Sequence, residues 1–186
     1  PITVSSDMAG SDLPDLIAKI LETAGAVPGD LVLEVTESAV MYDPDGVSRR
    51  LRRLRDAGVR IAIDDFGTGY SSLSYLQRLP IDELKIDRTF VSRLPFELSS
   101  TAIIGSVIDL AHAIGLTVVA EGVETLEQLD ALRTLRCDQA QGFFIARPEP
   151  ADAATTRLRE HLAGSAVDQV PKIAPSSAGA TSSSWP

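Results

Sequence analysis

The stretch IAIDDFGTGYSSL, residues 61–73, decides how the rest of the chain is read. Three apolar residues, Ile61, Ala62 and Ile63, run into two adjacent acids, Asp64 and Asp65, and a Gly-Thr-Gly turn follows. A short apolar run bounded by turn residues reads as a buried strand. A core has no use for two carboxylates at the end of it. In parallel α/β folds, however, the carboxyl ends of strands are where active sites are built.

Working outward, the same pattern recurs. Runs at 1–5 (PITVS), 31–36 (LVLEVT), 60–65 (RIAIDD), 83–87 (ELKID), 117–122 (TVVAEG) and 140–146 (AQGFFIA) read as strands. Helical spacing predicts helices over 12–25, 44–57, 70–79, 99–114, 124–135 and 150–162, several of them stopping at a glycine such as Gly25, Gly58 or Gly115. The expected inward faces are Val47, Leu51 and Leu54; Ile103, Val107, Leu110 and Ala111; and Leu126, Leu129 and Leu132. A repeated βα unit implies a parallel sheet with helices outside, either a barrel or a doubly wound sheet. No GxGxxG turn follows the first strand, so a dinucleotide fold has little support. A closed (β/α)₈ barrel takes eight strands and about 250 residues. Two strands are therefore missing from a barrel, at the start. The opening Pro1 suggests a piece of a longer protein or a processed product. The expected organisation is a folded part over 1–163 and a disordered Ser/Ala/Pro-rich tail over 164–186.

The 186 residues carry a net charge of −9, which argues against direct binding of DNA or RNA. An acidic protein still binds a phosphodiester if its acids first capture divalent cations. The single cysteine, Cys137, excludes a disulfide within the chain, fits a reducing cytosol, and reads as a small buried apolar residue. No apolar run reaches the ~20 residues expected of a membrane span, and no stretch of this sequence reads as a signal peptide. His112, inside a helix, and His161, near the end of the last one, read as structural or solvated.

Four consecutive strands deliver acids to one rim. Glu34 and Glu37 belong to the second strand, Asp64 and Asp65 to the third, Lys85 and Asp87 to the fourth, and Glu121 with Glu124 to the fifth, while Gln141 lies on the sixth. Five or more carboxylates at one mouth repel one another unless cations or protons relieve them. Oxygen ligands without His or Cys point to Mg²⁺ or Mn²⁺. Neighbours in a regular strand face opposite ways, so Asp64 and Asp65 serve one centre only where the backbone turns. There one can bridge two ions, the usual device for displacement at phosphorus. Lys85 would orient the attacking water, or else simply pair with an Asp. The loop Gly67, Thr68, Gly69 and Tyr70 would close over the metals, carry a subunit contact, or be an ordinary connection.

Together LEVTES (33–38), DDFGTGYSSLSYL (64–76), LKIDRTFV (84–91), VVAEGVET (118–125) and QGFFIARP (141–148) resemble the EAL-domain family of cyclic di-GMP phosphodiesterases. The resemblance implies a modified TIM barrel, truncated here at the N-terminus to about six parallel strands, and hydrolysis of cyclic di-GMP to linear pGpG with two Mg²⁺ or Mn²⁺ ions. It implies metal ligation by Glu34, Asp64, Asp65 and Glu121, a water contact at Lys85, and support from Asp87, Glu124 and Gln141. Glu37 would hold the loop after the paired acids. A homodimer, and an upstream sensor or GGDEF domain in the parent protein, follow from the same likeness. Two departures stand out. The Glu-Ala-Leu signature would lie upstream of Pro1, and Ser5 stands where a metal-binding Asn is expected. They favour the alternative of a degenerate module that binds cyclic di-GMP or a protein partner without turnover. The isolated chain is accordingly expected to be weakly active or inactive. Another acid-ringed TIM-barrel enzyme, a metallo-lyase or enolase-like protein, is disfavoured by the loop sequence.

Overall fold

The computed structural model describes residues 2–4, 12–67 and 76–164. Ser5, Thr68, Gly69 and Tyr70, most of the helix expected over 70–79, and the tail beyond residue 164 lie outside them. The chain divides into two compact units, Pro1–Ala146 and Arg147–Pro186.

The first unit is an α/β fold around a sheet of six strands in chain order, β1 (Ile2–Val4), β2 (Val32–Thr36), β3 (Arg60–Phe66), β4 (Glu83–Ile86), β5 (Thr117–Ala120) and β6 (Gln139–Ala140). Every neighbouring pair is parallel. Its helices are α1 (Leu13–Ala24), α2 (Glu37–Tyr42), α3 (Pro44–Asp56), α4 (Arg88–Val91), α5 (Leu98–Ala113) and α6 (Leu126–Thr134). The second unit contains α7 (Ala151–Gly164), where Arg157 pairs with Glu149 at 3.0 Å.

Local chemistry sets the helix ends. Gly25 takes φ 62, and its N–H and that of Ala26 bond back to Glu22 and Leu21, closing α1. Thr125 and Gln128 form a reciprocal capping box at the start of α6. Asp43 caps α3 by accepting from the Gly46 N–H at 3.0 Å.

The register gives the sheet two chemically different faces. Partners across a parallel ladder share a face, and alternate residues along a strand share it too. Leu33, Val35, Ile61, Ile63, Leu84, Ile86, Val118 and Ala120 fall on one face and are buried. Val47, Leu51 and Leu54 of α3, with Ile104 and Ile108 of α5, belong to the same core. The other face carries Glu34, Ala62 and Asp64, then Glu83 and Lys85, then Val119. Glu34, Glu83 and Lys85 are each about 5 % exposed, so this polar face is buried as well. Buried charge survives only when paired, and the pairs form two layers. Arg60 with Glu83 lies toward the strand starts, and Lys85 with its carboxylates lies toward the strand ends.

Three expectations need correction. The sixth strand is Gln139–Ala140, not 140–146, because the chain turns at once. The N–H groups of Ile145 and Ala146 both bond to the Gly142 carbonyl at 3.0 Å. On α5 the buried face is Ser100, Ile104, Ile108 and Ala111, while Ile103 is 46 % exposed. That helix is apolar on most sides, so periodicity left its phase open. Leu126 is half exposed because it opens α6 directly after the Thr125 cap, whereas Leu132 is fully buried. Two short helices, α2 and α4, were not expected at all.

Candidate metal centre

The site begins with a defect in β3. Ile63 pairs with Leu84 and Phe66 with Ile86, so three steps on β3 match two on β4. The extra residue is accommodated by Asp65, which adopts the left-handed conformation at φ 56. Aspartate tolerates that region better than most side chains do. The bulge returns Phe66 to the apolar side, where it is 7 % exposed and part of the core. It also releases Asp65 from strict alternation. Oxygens of Asp64, Asp65 and Glu121 consequently lie within 4.8 Å of one another.

Lys85 rises from the middle of β4 into this group. Its Nζ contacts Glu34 Oε1, lies 2.5 Å from Glu121 Oε1 and 3.1 Å from Asp64 Oδ1. Burial disfavours the ammonium, but hydrogen bonds to Glu121, Glu34 and Asp64 outweigh it and hold its pKa above the ordinary lysine range. Lys85 is therefore a fixed positive charge. The acids feel the crowding. Burial, then the Asp64 and Asp87 charges, raise the Asp65 carboxyl. Burial raises Glu121 too, with Lys85 pulling the other way. Asp87 caps α4, accepting from the Thr89 N–H at 2.9 Å and the Thr89 hydroxyl at 2.5 Å. Burial opposes its ionisation, but the Thr89 bonds prevail and its pKa is lowered.

Most of the remaining expected residues surround the cluster. Gln141 Nε2 donates to Glu121 Oε1 at 2.7 Å. Glu37, the first residue of α2, is buried and its Oε2 accepts from the Gly67 N–H at 3.2 Å. Glu124 is exposed, and the three-carboxylate group does not include it. Sequence reasoning missed Thr89, although Asp-x-Thr is the spacing of a side-chain cap. It also missed Gly122 and Gly142. A Cβ on Gly142 would lie 2.2 Å from the Val123 carbonyl oxygen, so only glycine lets the chain after Gln141 pass this close.

The donor set fits divalent cations. It consists of carboxylate oxygens alone, as hard ions require, and one cation, the Lys85 ammonium, already sits among three of them. Asp65 and Glu121, with raised pKa values, are groups that a further positive charge would relieve.

Fold and site together define a parallel α/β protein with an acid-lined, metal-competent centre at its strand ends. The EAL domain family matches residues 1–148, and the chain belongs to that family. It is similar to the cyclic di-GMP phosphodiesterase NbdA of Pseudomonas aeruginosa, with 45 % identity over 84 % of this chain and 20 % of that protein. The bifunctional diguanylate cyclase/cyclic di-GMP phosphodiesterase MucR of the same organism is 46 % identical over 77 % of this chain and 21 % of its own length. The chain thus spans about a fifth of the length of these curated relatives. The crystal structure of the EAL domain of Mycobacterium smegmatis DcpA is similar with a TM-score of 0.81 and 41 % identity, over 86 % of this chain and 72 % of that one. The manganese/cyclic di-GMP complex of Klebsiella pneumoniae BlrP1 has a TM-score of 0.74 and 38 % identity, over 79 % of this chain and 38 % of that one. No helix among the described residues is long and apolar enough to cross a membrane.

Proposed function

We propose that this chain carries most of the active site of a cyclic di-GMP phosphodiesterase, on six strands of a TIM-like barrel. The observation that carries the reading is the convergence of Glu34, Asp64 and Glu121 on Lys85, with Asp65 joining two of them in one oxygen cluster. A module that only binds has no need of a buried lysine at the centre of its acids. The relatives' names and the manganese complex of one of them support the substrate and the ion.

Glu34, Asp64, Asp65 and Glu121 would hold two Mg²⁺ or Mn²⁺ ions. When bound, these supply Lewis-acid polarisation at phosphorus and make water nucleophilic near neutral pH. The chain's own groups do the rest. Lys85 orients the attacking water and offsets negative charge that develops on the phosphoryl oxygens. Gln141 fixes the Glu121 carboxylate, Thr89 keeps Asp87 ionised, and Glu37 anchors the start of the loop at Gly67. A water oxygen bonds to phosphorus as the P–O3′ bond breaks, leaving the 5′-phosphate and free 3′-hydroxyl of pGpG. The homodimer and the upstream sensor or GGDEF domain belong to the same proposal.

Ser5 favours a second reading, a receptor that binds cyclic di-GMP without turnover, since a hydroxyl is a shorter ligand than the expected amide. Incubation with cyclic di-GMP and Mn²⁺ separates the two. Formation of pGpG that is lost in Lys85→Ala supports catalysis. Binding without product supports the receptor, and neither binding nor product rejects both.

A further inference from the structure

We propose that Arg88 grips the phosphate of the cyclic dinucleotide that is not being cleaved, an assignment that rests on the function proposed above. Arg88 follows Asp87 directly and is the first residue of α4, at the strand-end rim. It is exposed, and among the described residues no carboxylate lies within ion-pairing distance of its guanidinium. Its stem runs against the residue next to Glu121. A Cβ on Gly122 would lie 2.4 Å from Arg88 Cβ and 3.7 Å from Arg88 Cγ. Gly122 takes φ 70, so both its conformation and its missing side chain make room for this arginine.

The electrostatics say what such a group is for. The substrate brings two phosphodiester charges to a rim that already holds Glu34, Asp64, Asp65, Asp87 and Glu121. Bound ions and Lys85 serve the phosphate under attack. The other phosphate, on the opposite side of the ring, meets an acidic protein of net charge −9. It needs a cation of its own. A guanidinium on a packed stem offers paired N–H donors to two phosphate oxygens, and it is less strongly hydrated than an ammonium. Close neighbours of opposite charge would normally have captured this arginine; here the rim acids are instead satisfied by Lys85, Thr89 and Gln141.

The experiment compares wild type, Arg88→Gln and Arg88→Lys in Mn²⁺. The readouts are Kd and KM for cyclic di-GMP and turnover of methyl p-nitrophenyl phosphate, which has one phosphodiester and no second phosphate. The expected result for Arg88→Gln is a rise of about tenfold in Kd and KM, the loss of one charge-assisted pair. Its kcat and its turnover of the single phosphodiester stay unchanged, and Arg88→Lys restores part of the loss. The penalty shrinks as salt is raised. Equal loss on both substrates, a loss in kcat alone, or no loss on either overturns the assignment. Failure of the wild type to bind or cleave cyclic di-GMP overturns the proposed function itself, a result that no Arg88 variant is needed to see.

Discussion

Glu37 and Gly67, thirty positions apart, are joined by one hydrogen bond from the Gly67 N–H to Glu37 Oε2 at 3.2 Å. The bond ties the start of α2 to the chain just past Asp65. The other oxygen, Oε1, is buried with no partner among the described residues. Glu37→Ala should release Gly67 and weaken Mn²⁺ binding about tenfold, as loss of a ligand's support usually does. Glu37→Gln keeps a carbonyl acceptor and sheds a buried charge, so it should bind Mn²⁺ nearly as well as wild type. Calorimetric Mn²⁺ titration of the two variants is the check.

Lys85 predicts a metal-dependent stability. Removing it leaves Glu34, Asp64 and Glu121 facing one another with little exposure, the situation in which breaking a buried pair costs about 3–5 kcal/mol. Lys85→Met should therefore melt well below wild type without divalent ions. Mn²⁺ should restore much of the difference, by supplying positive charge to the same oxygens. Thermal melts with Mn²⁺ and with chelator test this.

Asp65 sets stability against function. A left-handed backbone beside Asp64 costs free energy that glycine would not pay, on the order of 1 kcal/mol. Asp65→Gly should melt higher than wild type in chelator and gain less from Mn²⁺. Asp65→Val should melt lower in both, because a β-branched residue resists φ 56.

Cys137 gives a pH dependence away from the site. Burial pushes its thiol from 9.0 up to about 11, although its contact with Gln139 opposes the shift. Between those values the folded chain keeps a proton that the unfolded chain has lost. Stability is thus full below pH ~9 and falls by about 1.4 kcal/mol per unit as pH rises toward ~11. Denaturant unfolding at pH 8, 9 and 10 should show this slope, and Cys137→Ala should remove that part of it.

Gly142→Ala should act at a distance of one residue. Its new methyl would meet the Val123 carbonyl at 2.2 Å, so the turn must move and carry Gln141 away from Glu121. A loss of about 2 kcal/mol or more in stability, with weaker Mn²⁺ binding, is expected from melts and titration.

Much of this was legible in the order of residues. Apolar runs such as Ile61–Ile63 and Val118–Ala120 cannot avoid burial, and helices stopping at Gly25 or held by the Thr125–Gln128 box carry their end signals locally. The acids at 34, 64, 65 and 121 were legible because strand ends in a parallel sheet share one rim. The phase of α5 was not, since Ile103 and Ile104 are equally apolar and only packing against the sheet chooses between them. Nor was the short β6, where seven residues of strand-like composition turn at Gly142 under a contact with Val123, a residue distant in sequence.

By itself the sequence determined a parallel α/β chain with an acid-rich rim, because hydrophobic periodicity, glycine stops and side-chain chemistry act over a few residues. Only the tertiary structure decided that oxygens of Asp64 and Asp65 join Glu121 in one cluster, that the Lys85 ammonium is shared by three acids, and that Arg88 lies against Gly122. Those outcomes depend on register. A single extra residue at Asp65 shifts which side chains share a face, and nothing local to Asp65 carries the position of β4 or β5.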